Sequence, residues 1–173
     1  MKAYLIALLV VCIAANTFLE THDGVTCPRG SELLDVYAGR LGLSVTYSSI
    51  YGSSNSYTYS RLGSQSAWSA ARNDGNQWIQ IASPNRLKWI GVETQGRANT
   101  NQWVKSYKVY SSDDGTNWEE VDEGHTFTGN SDRNTHVKHW FDTPRCARAI
   151  RLVPTSWYRH ISARVDFIFA QRG

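Results

Sequence analysis

The segment TQGRANTNQW (94–103) carries Arg97, Asn99 and Asn101 between two apolar, β-prone stretches, with only Ala98 as an aliphatic residue in its middle. A guanidinium presents fixed donors in a plane, and an amide both donates and accepts. Residues of these types are able to bond a polar ligand, and nothing nearby would turn binding into catalysis. Ser112, Asp113 and Asp114 sit in a turn-forming stretch with Gly115, and His136 and His139 lie on a β-patterned stretch without carboxylates or cysteines at metal spacing. No serine stands in a nucleophile elbow, and no EF-hand loop is present. The sequence therefore reads as a binding protein and not an enzyme.

Composition narrows the partner. The chain has 173 residues, of which 41% are hydrophobic and 19% charged, enough for one globular domain. Eighteen Lys and Arg against fifteen Asp and Glu give +3. The basic residues are scattered instead of forming a stripe, which argues against nucleic acid. MKAYLIALLVVCIAA (1–15) has Lys2, an apolar run and small residues near its end, the pattern of a secretory signal peptide. It is too short for a membrane span of about 20 residues. Residues 16–26 form a lead, and 27–173 the domain, of a chain expected outside the cell. Cys12 leaves with the signal, so Cys27 and Cys146 remain, and two thiols in an oxidising compartment suggest one disulfide, with two buried free thiols as the alternative. On the entropy model such a bridge constrains the unfolded chain by about 4–5 kcal/mol. Two cysteines without a neighbouring histidine pair do not make a zinc site.

The elements that must position the polar finger are strands. QWIQI (77–81), LKWIGVE (87–93), SYKVY (106–110), NWEEV (117–121), HVKHWF (136–141), ARAIRLV (147–153) and ARVDFIF (163–169) alternate and are rich in β-branched and aromatic residues. Turn signals separate them, the strongest being SSDDGTN (111–117) with its Asp-Gly pair. Trp78, Trp89, Trp118 and Trp140 fall within these patterns and read as packing residues. Short strands divided by turns predict an all-β sandwich or barrel.

AWSAARNDGNQWIQI, GVETQGR, SSDDGTNW, GNSDRNT, ARAIRLVPTSW and ISARVDF occur in the order and spacing of the discoidin domain, also called the factor V/VIII type C domain. Over about residues 45–169 the chain resembles this family, with retinoschisin-like and discoidin-like members nearest in pattern. The resemblance implies a jelly-roll β-sandwich of the galactose-binding-like type, with loops protruding at one end and termini at the other. It also implies no cofactor, although the fold can hold a structural calcium through backbone carbonyls. Family members commonly end in Gly-Cys, and that cysteine joins one near the start. Here the end is ARVDFIFAQRG, and Cys146 would stand in as the partner of Cys27 if ARAIRLV and ARVDFIF are neighbouring strands.

Within the family the finger is one of the protruding loops, beside SSIYGSSNSY (48–57), AARNDGN (70–76) and TSWYRHIS (155–162). The resemblance then implies a ligand-contacting set of Ile50, Tyr51, Asn55, Tyr57, Asp74, Arg97, Asn99, Asn101, Trp157, Tyr158, Arg159 and His160. Each has a plainer role beside it. Arg97 would tie the loop base to Asp74 or Asp132, Trp157 would belong to the core, His160 would be an exposed loop residue, and GNSDRNT (129–135) would be a side-chain-bonded turn. Burying a leucine-sized tip in lipid yields about 1.5–3 kcal/mol, whereas asparagine in hydrocarbon costs several. The polar tips thus favour a cell-surface glycan first, an extracellular glycoprotein, matrix protein or receptor second, and anionic phospholipid last, with any membrane contact peripheral. Any self-association is expected to be non-covalent, because the extra cysteines that link retinoschisin chains are missing.

Overall fold

The structure is a computed structural model that describes residues 19–22, 25–28, 33–37, 43–52 and 60–172, with side chains over 43–52 and 60–170. Among these residues there is no α-helix. Eleven strands run in chain order: β1 (Leu19–His22), β2 (Val25–Pro28), β3 (Leu33–Tyr37), β4 (Ser44–Tyr47), β5 (Trp68–Ser69), β6 (Ile79–Gln95), β7 (Trp103–Ser112), β8 (Glu119–Glu120), β9 (Phe127–Thr128), β10 (Val137–Tyr158) and β11 (Ser162–Arg172).

β1 and β2 form an antiparallel hairpin, and the main sheet has the order β3-β11-β6-β10-β7-β8, with β4 on β6, β5 on β11 and β9 on β7. The fold turns on two long strands. QWIQI and LKWIGVE, expected as two strands, are one, and so are HVKHWF and ARAIRLV. β10 pairs with β6 from Val137↔Thr94 to Ala147↔Leu87, and again from Ala149↔Ala82 to Leu152↔Ile79, with register shifts between Trp140 and Arg145 and between Ala147 and Ala149. Such bulges bend and twist a pair of strands. Here they let the sheet fold over itself into two layers. β11 and β3 extend one layer beside the second half of β6, while β4 and β7 extend the other beside its first half. NWEEV supplies only the two residues of β8 before a 3-10 turn at Val121–Gly124.

Between the layers lies one core. Trp68, Trp89, Tyr107, Phe167 and Phe169 are fully buried, with Ile79, Ile150 and Leu152 beside them. Trp89 meets the rings of Phe167 and Phe169 edge-on, and its indole N–H donates to the Ala147 carbonyl at 2.9 Å. Of the other tryptophans expected to pack, Trp140 does not: it is 50% exposed on the outer face, above Gly91. A β-carbon at Gly91 would come within 2.9 Å of the indole, so the ring covers a position where no side chain fits. Trp78 and Trp118 are half-buried and flank the Arg151 guanidinium at 4.0 and 3.7 Å, a cation-π sandwich on an outer sheet face.

Folding at residues 83–87 and 141–148 sends both halves of β6 and β10 back to one end. Residues 48–52, 70–78, 96–102, 129–136 and 159–161 gather there, while Arg172 pairs with Leu33 at the other.

Candidate functional site: the loop end

Two polar hubs hold the loops. The first joins 48–52, 70–78 and 159–161. His160 Nε2 lies 2.7 Å from the Ala70 carbonyl and must donate to it, so Nδ1 accepts from the Asn73 amide at 3.1 Å. Asn73 Oδ1 in turn takes the Ile161 N–H at 2.8 Å. Ser49 donates to Gln77 and accepts the Ala71 N–H, and Gln77 donates to Asp74 at 2.7 Å. That last bond, then one from the Asn76 N–H, holds the Asp74 carboxyl below its usual pKa.

Arg164 is the second hub, 3% exposed. It donates to the Gly96 carbonyl (2.8 Å), the Ser64 carbonyl (2.8 Å), the Arg133 carbonyl (2.6 Å) and Asn134 Oδ1 (3.0 Å). One guanidinium thereby stitches three loops, a task suited to its rigid fork of donors. Gly96 is obligatory beside it, because a β-carbon there would overlap the Asp132 carbonyl. Asp132 organises its own loop, accepting from Asn134 N–H, Thr135 N–H and the Thr135 hydroxyl at 2.7, 2.7 and 2.6 Å. GNSDRNT is thus the side-chain-bonded turn that its composition predicts.

The finger at 96–102 is braced from within. Arg97 donates to Asn99 Oδ1 and Gln102 Oε1, both at 2.9 Å, so Asn99 has a structural duty that its exposed position conceals. Asp74 and Asp132, expected as partners of Arg97, have the turn bonds given above. Gln102 also receives the Ser162 hydroxyl at 3.1 Å, and Ser162 meets Ser69 at 2.7 Å, which connects the finger to the first hub.

What the end offers outward is aromatic and polar. Tyr51 is 51% exposed and meets His160 edge-on at 5.4 Å. Tyr158 is 39% exposed, stacked on Trp103 at 4.4 Å, with the Arg159 guanidinium 5.3 Å from its ring. Asn99, Asn101 and Arg159 are exposed, and Arg159 adopts the left-handed backbone with φ 61°. Ile50 and Asp74 are half-buried, and Trp157 is half-buried against the core. His160, expected to be exposed, is instead wedged between loops. Asn55 and Tyr57 lie outside the described residues, as does the Cys27 side chain. Asn73, Gln77 and Arg164 are site-building residues that residue type and spacing do not single out. Only the presence of an arginine inside the apolar strand ARVDFIF hints that Arg164 needs buried acceptors.

A jelly-roll sandwich whose polar side chains converge on the loops of one end defines a module of the galactose-binding-like class. The F5/8 type C domain family matches residues 44–167, and the chain belongs to that family. Discoidin-2 of Dictyostelium discoideum is 38% identical over 116 residues, covering 67% of this chain and 45% of that protein. Lactadherin of Sus scrofa is 38% identical over 120 residues, 64% of this chain and 29% of that protein. The chain thus spans less than half the length of these two relatives. Among solved structures, recombinant discoidin II of D. discoideum aligns with TM-score 0.73 and 31% identity over 78% of this chain and 58% of its own. A family 32 carbohydrate-binding module of Clostridium perfringens NanJ, solved with galactose, shares the fold at TM-score 0.59 and 13% identity, covering 80% of this chain and all of that one.

Proposed function

We propose that this is a secreted, non-enzymatic binding protein that recognises cell-surface carbohydrate through its loop end. One observation carries the reading: the large hydrophobic side chains exposed at that end, among the described residues, are Tyr51 and Tyr158. Each gives a flat apolar face beside hydrogen-bonding groups, the pairing that a pyranose ring and its hydroxyls require. The sequence 53–59 (SSNSYTY) contains no aliphatic residue. A lipid-inserting tip would need aliphatic bulk, and tyrosine prefers the interface to the hydrocarbon.

Secretion is supported by the signal-like sequence 1–15, which lies outside the described residues, whereas the proposed domain start at Cys27 falls within β2. The disulfide reading is that Cys27 joins Cys146. Its support is that Cys146 is disulfide-bonded and that β2, which carries Cys27, runs beside β10. β11 is not the hydrogen-bonded neighbour of β10, since β6 separates them, yet Cys146 sits one strand from Ala170 through Lys88.

The test is a glycan array with the secreted protein, in calcium and in chelator, repeated with Tyr51→Ala and Tyr158→Ala. Saccharide binding that both variants lose supports the reading. Absence of saccharide binding, with capture by phosphatidylserine vesicles instead, refutes it.

A further inference from the structure

We propose that the loop end prefers an acidic polysaccharide, one bearing repeated sulfate or carboxylate groups, and that exposed arginines on separate loops set this preference. The proposal deepens the glycan reading and rests on it.

The charges of the described loops are segregated. The loop end, with the turn at 60–67, holds Arg61, Arg72, Arg97, Arg133 and Arg159 against Asp74 and Asp132. At the opposite end stand seven carboxylates, six between Asp113 and Glu123 and one at Asp142, against Arg86, Lys88, Lys108, Arg145 and Arg148. The overall +3 conceals this polarity. Moreover, the two acids of the loop end are spent inward: Asp132 accepts three bonds from its own loop, and Asp74 bonds Asn76 and Gln77. Arg61, Arg72, Arg133 and Arg159 are exposed and form no ion pair among the described residues. A surface of one sign raises the local concentration of counter-charged ligands and speeds their capture, and arginine's fork matches sulfate and carboxylate oxygens two at a time.

Geometry says what kind of anion. Arg61 and Arg133 sit on loops that Arg164 ties together through the Ser64 and Arg133 carbonyls, so their placement is fixed from beneath. Arg72 and Arg159 sit on the other hub, on the loops joined by Asn73. Four exposed arginines spread over four loops suit an extended ligand with charges spaced along it. A membrane also presents repeated anions, but Tyr51 and Tyr158 provide no hydrocarbon anchor, which selects the polysaccharide.

Heparin and chondroitin sulfate are the probes, with fully desulfated heparin, dextran and phosphatidylserine-phosphatidylcholine vesicles as comparisons. Affinity is measured from 50 to 200 mM salt. The sulfated chains should bind at least tenfold more tightly than the uncharged ones. Arg61→Gln/Arg133→Gln should weaken heparin binding at least tenfold and lower the slope of log affinity against log salt by about two, one per lost contact. Arg72→Gln/Arg159→Gln should act similarly, and Arg148→Gln at the opposite end should change nothing. Heparin binding that neither double variant weakens, or equal binding to desulfated heparin, overturns the proposal. So does binding to vesicles alone. If a neutral saccharide binds, is lost with Tyr51→Ala, and heparin does not bind, the acidic preference fails while the glycan reading stands. Binding to none of the saccharides defeats both.

Discussion

Replacing Arg164 by Met should unfold the loop end from below and lower the stability of the whole domain. The guanidinium makes four hydrogen bonds between 2.6 and 3.0 Å, three of them to main-chain carbonyls of different loops. A bond to a charged donor is worth about 1.5–3 kcal/mol, so a simple sum would approach the entire 5–15 kcal/mol margin of a domain. The sum overstates the case, because burying the ion itself costs several kcal/mol and part of that cost disappears with it. What remains is the desolvation of acceptors left without a donor, about 1–3 kcal/mol each where water cannot reach. A net loss of about 3–5 kcal/mol follows, similar to breaking a buried ionic contact. At about 2–4 °C per kcal/mol for a domain near this size, Tm should fall by about 6–20 °C. Thermal unfolding followed by tryptophan fluorescence measures this directly. Arg164→Lys, which keeps the charge but cannot fork, should fall between the two. If Arg164→Met melts within 2 °C of the wild type, the hub does not hold the loops together.

Three further expectations concern the sheets, the turns and the cysteines. Trp89→Ala, emptying a fully buried site, should cost about 3–5 kcal/mol, while Trp140→Ala on the outer face should cost about 1 kcal/mol; comparable losses in chemical denaturation would contradict this placement. Asp114 is held well below the usual carboxylate range by the Asn117 and Thr116 N–H groups, and Asp132 is lowered by Thr135 and Asp74 by Gln77. Depressed native pKa values contribute stability above the unfolded value of about 3.9 that is lost as pH falls through the native ones. Melting should therefore change little on their account from pH 7 to 5 and drop below about pH 4, with a smaller pH 7-to-3 difference in Asp114→Asn; an unchanged difference would count against the turn's role. Secreted, denatured protein should contain no reactive thiol, and two would exclude the Cys27–Cys146 bridge.

Much of this is legible in the sequence, and the departures have physical causes. Alternation marks a strand but not where one ends, so QWIQI and LKWIGVE look separate although Ser83 to Arg86 only carry the chain around a corner within β6. The Asx turns at Asp114 and Asp132 are readable because their bonds reach only two or three residues ahead. Trp140 reads as a packing residue because alternation does not say which face is buried, and the signal that settles it, Gly91 on the facing strand, lies 49 positions away with no local mark. Arg97 illustrates the opposite limit: its partners Asn99 and Gln102 are close by in sequence, yet acids farther off are chemically better matches. His160 and Arg164 act through the carbonyls of Ala70, Ser64, Gly96 and Arg133, and a backbone acceptor leaves no trace in residue type.

Two-dimensional amide NMR of the 15N-labelled protein, titrated with the saccharide or sulfated chain that binds best, tests the central claim most directly. Shifts confined to 49–52, 60–64, 70–76, 96–102, 131–136 and 158–162 are the predicted result, with the opposite end at 83–86 and 113–118 unmoved. Shifts centred on the outer sheet faces around Trp140 or Arg151, with the loops silent, would contradict it.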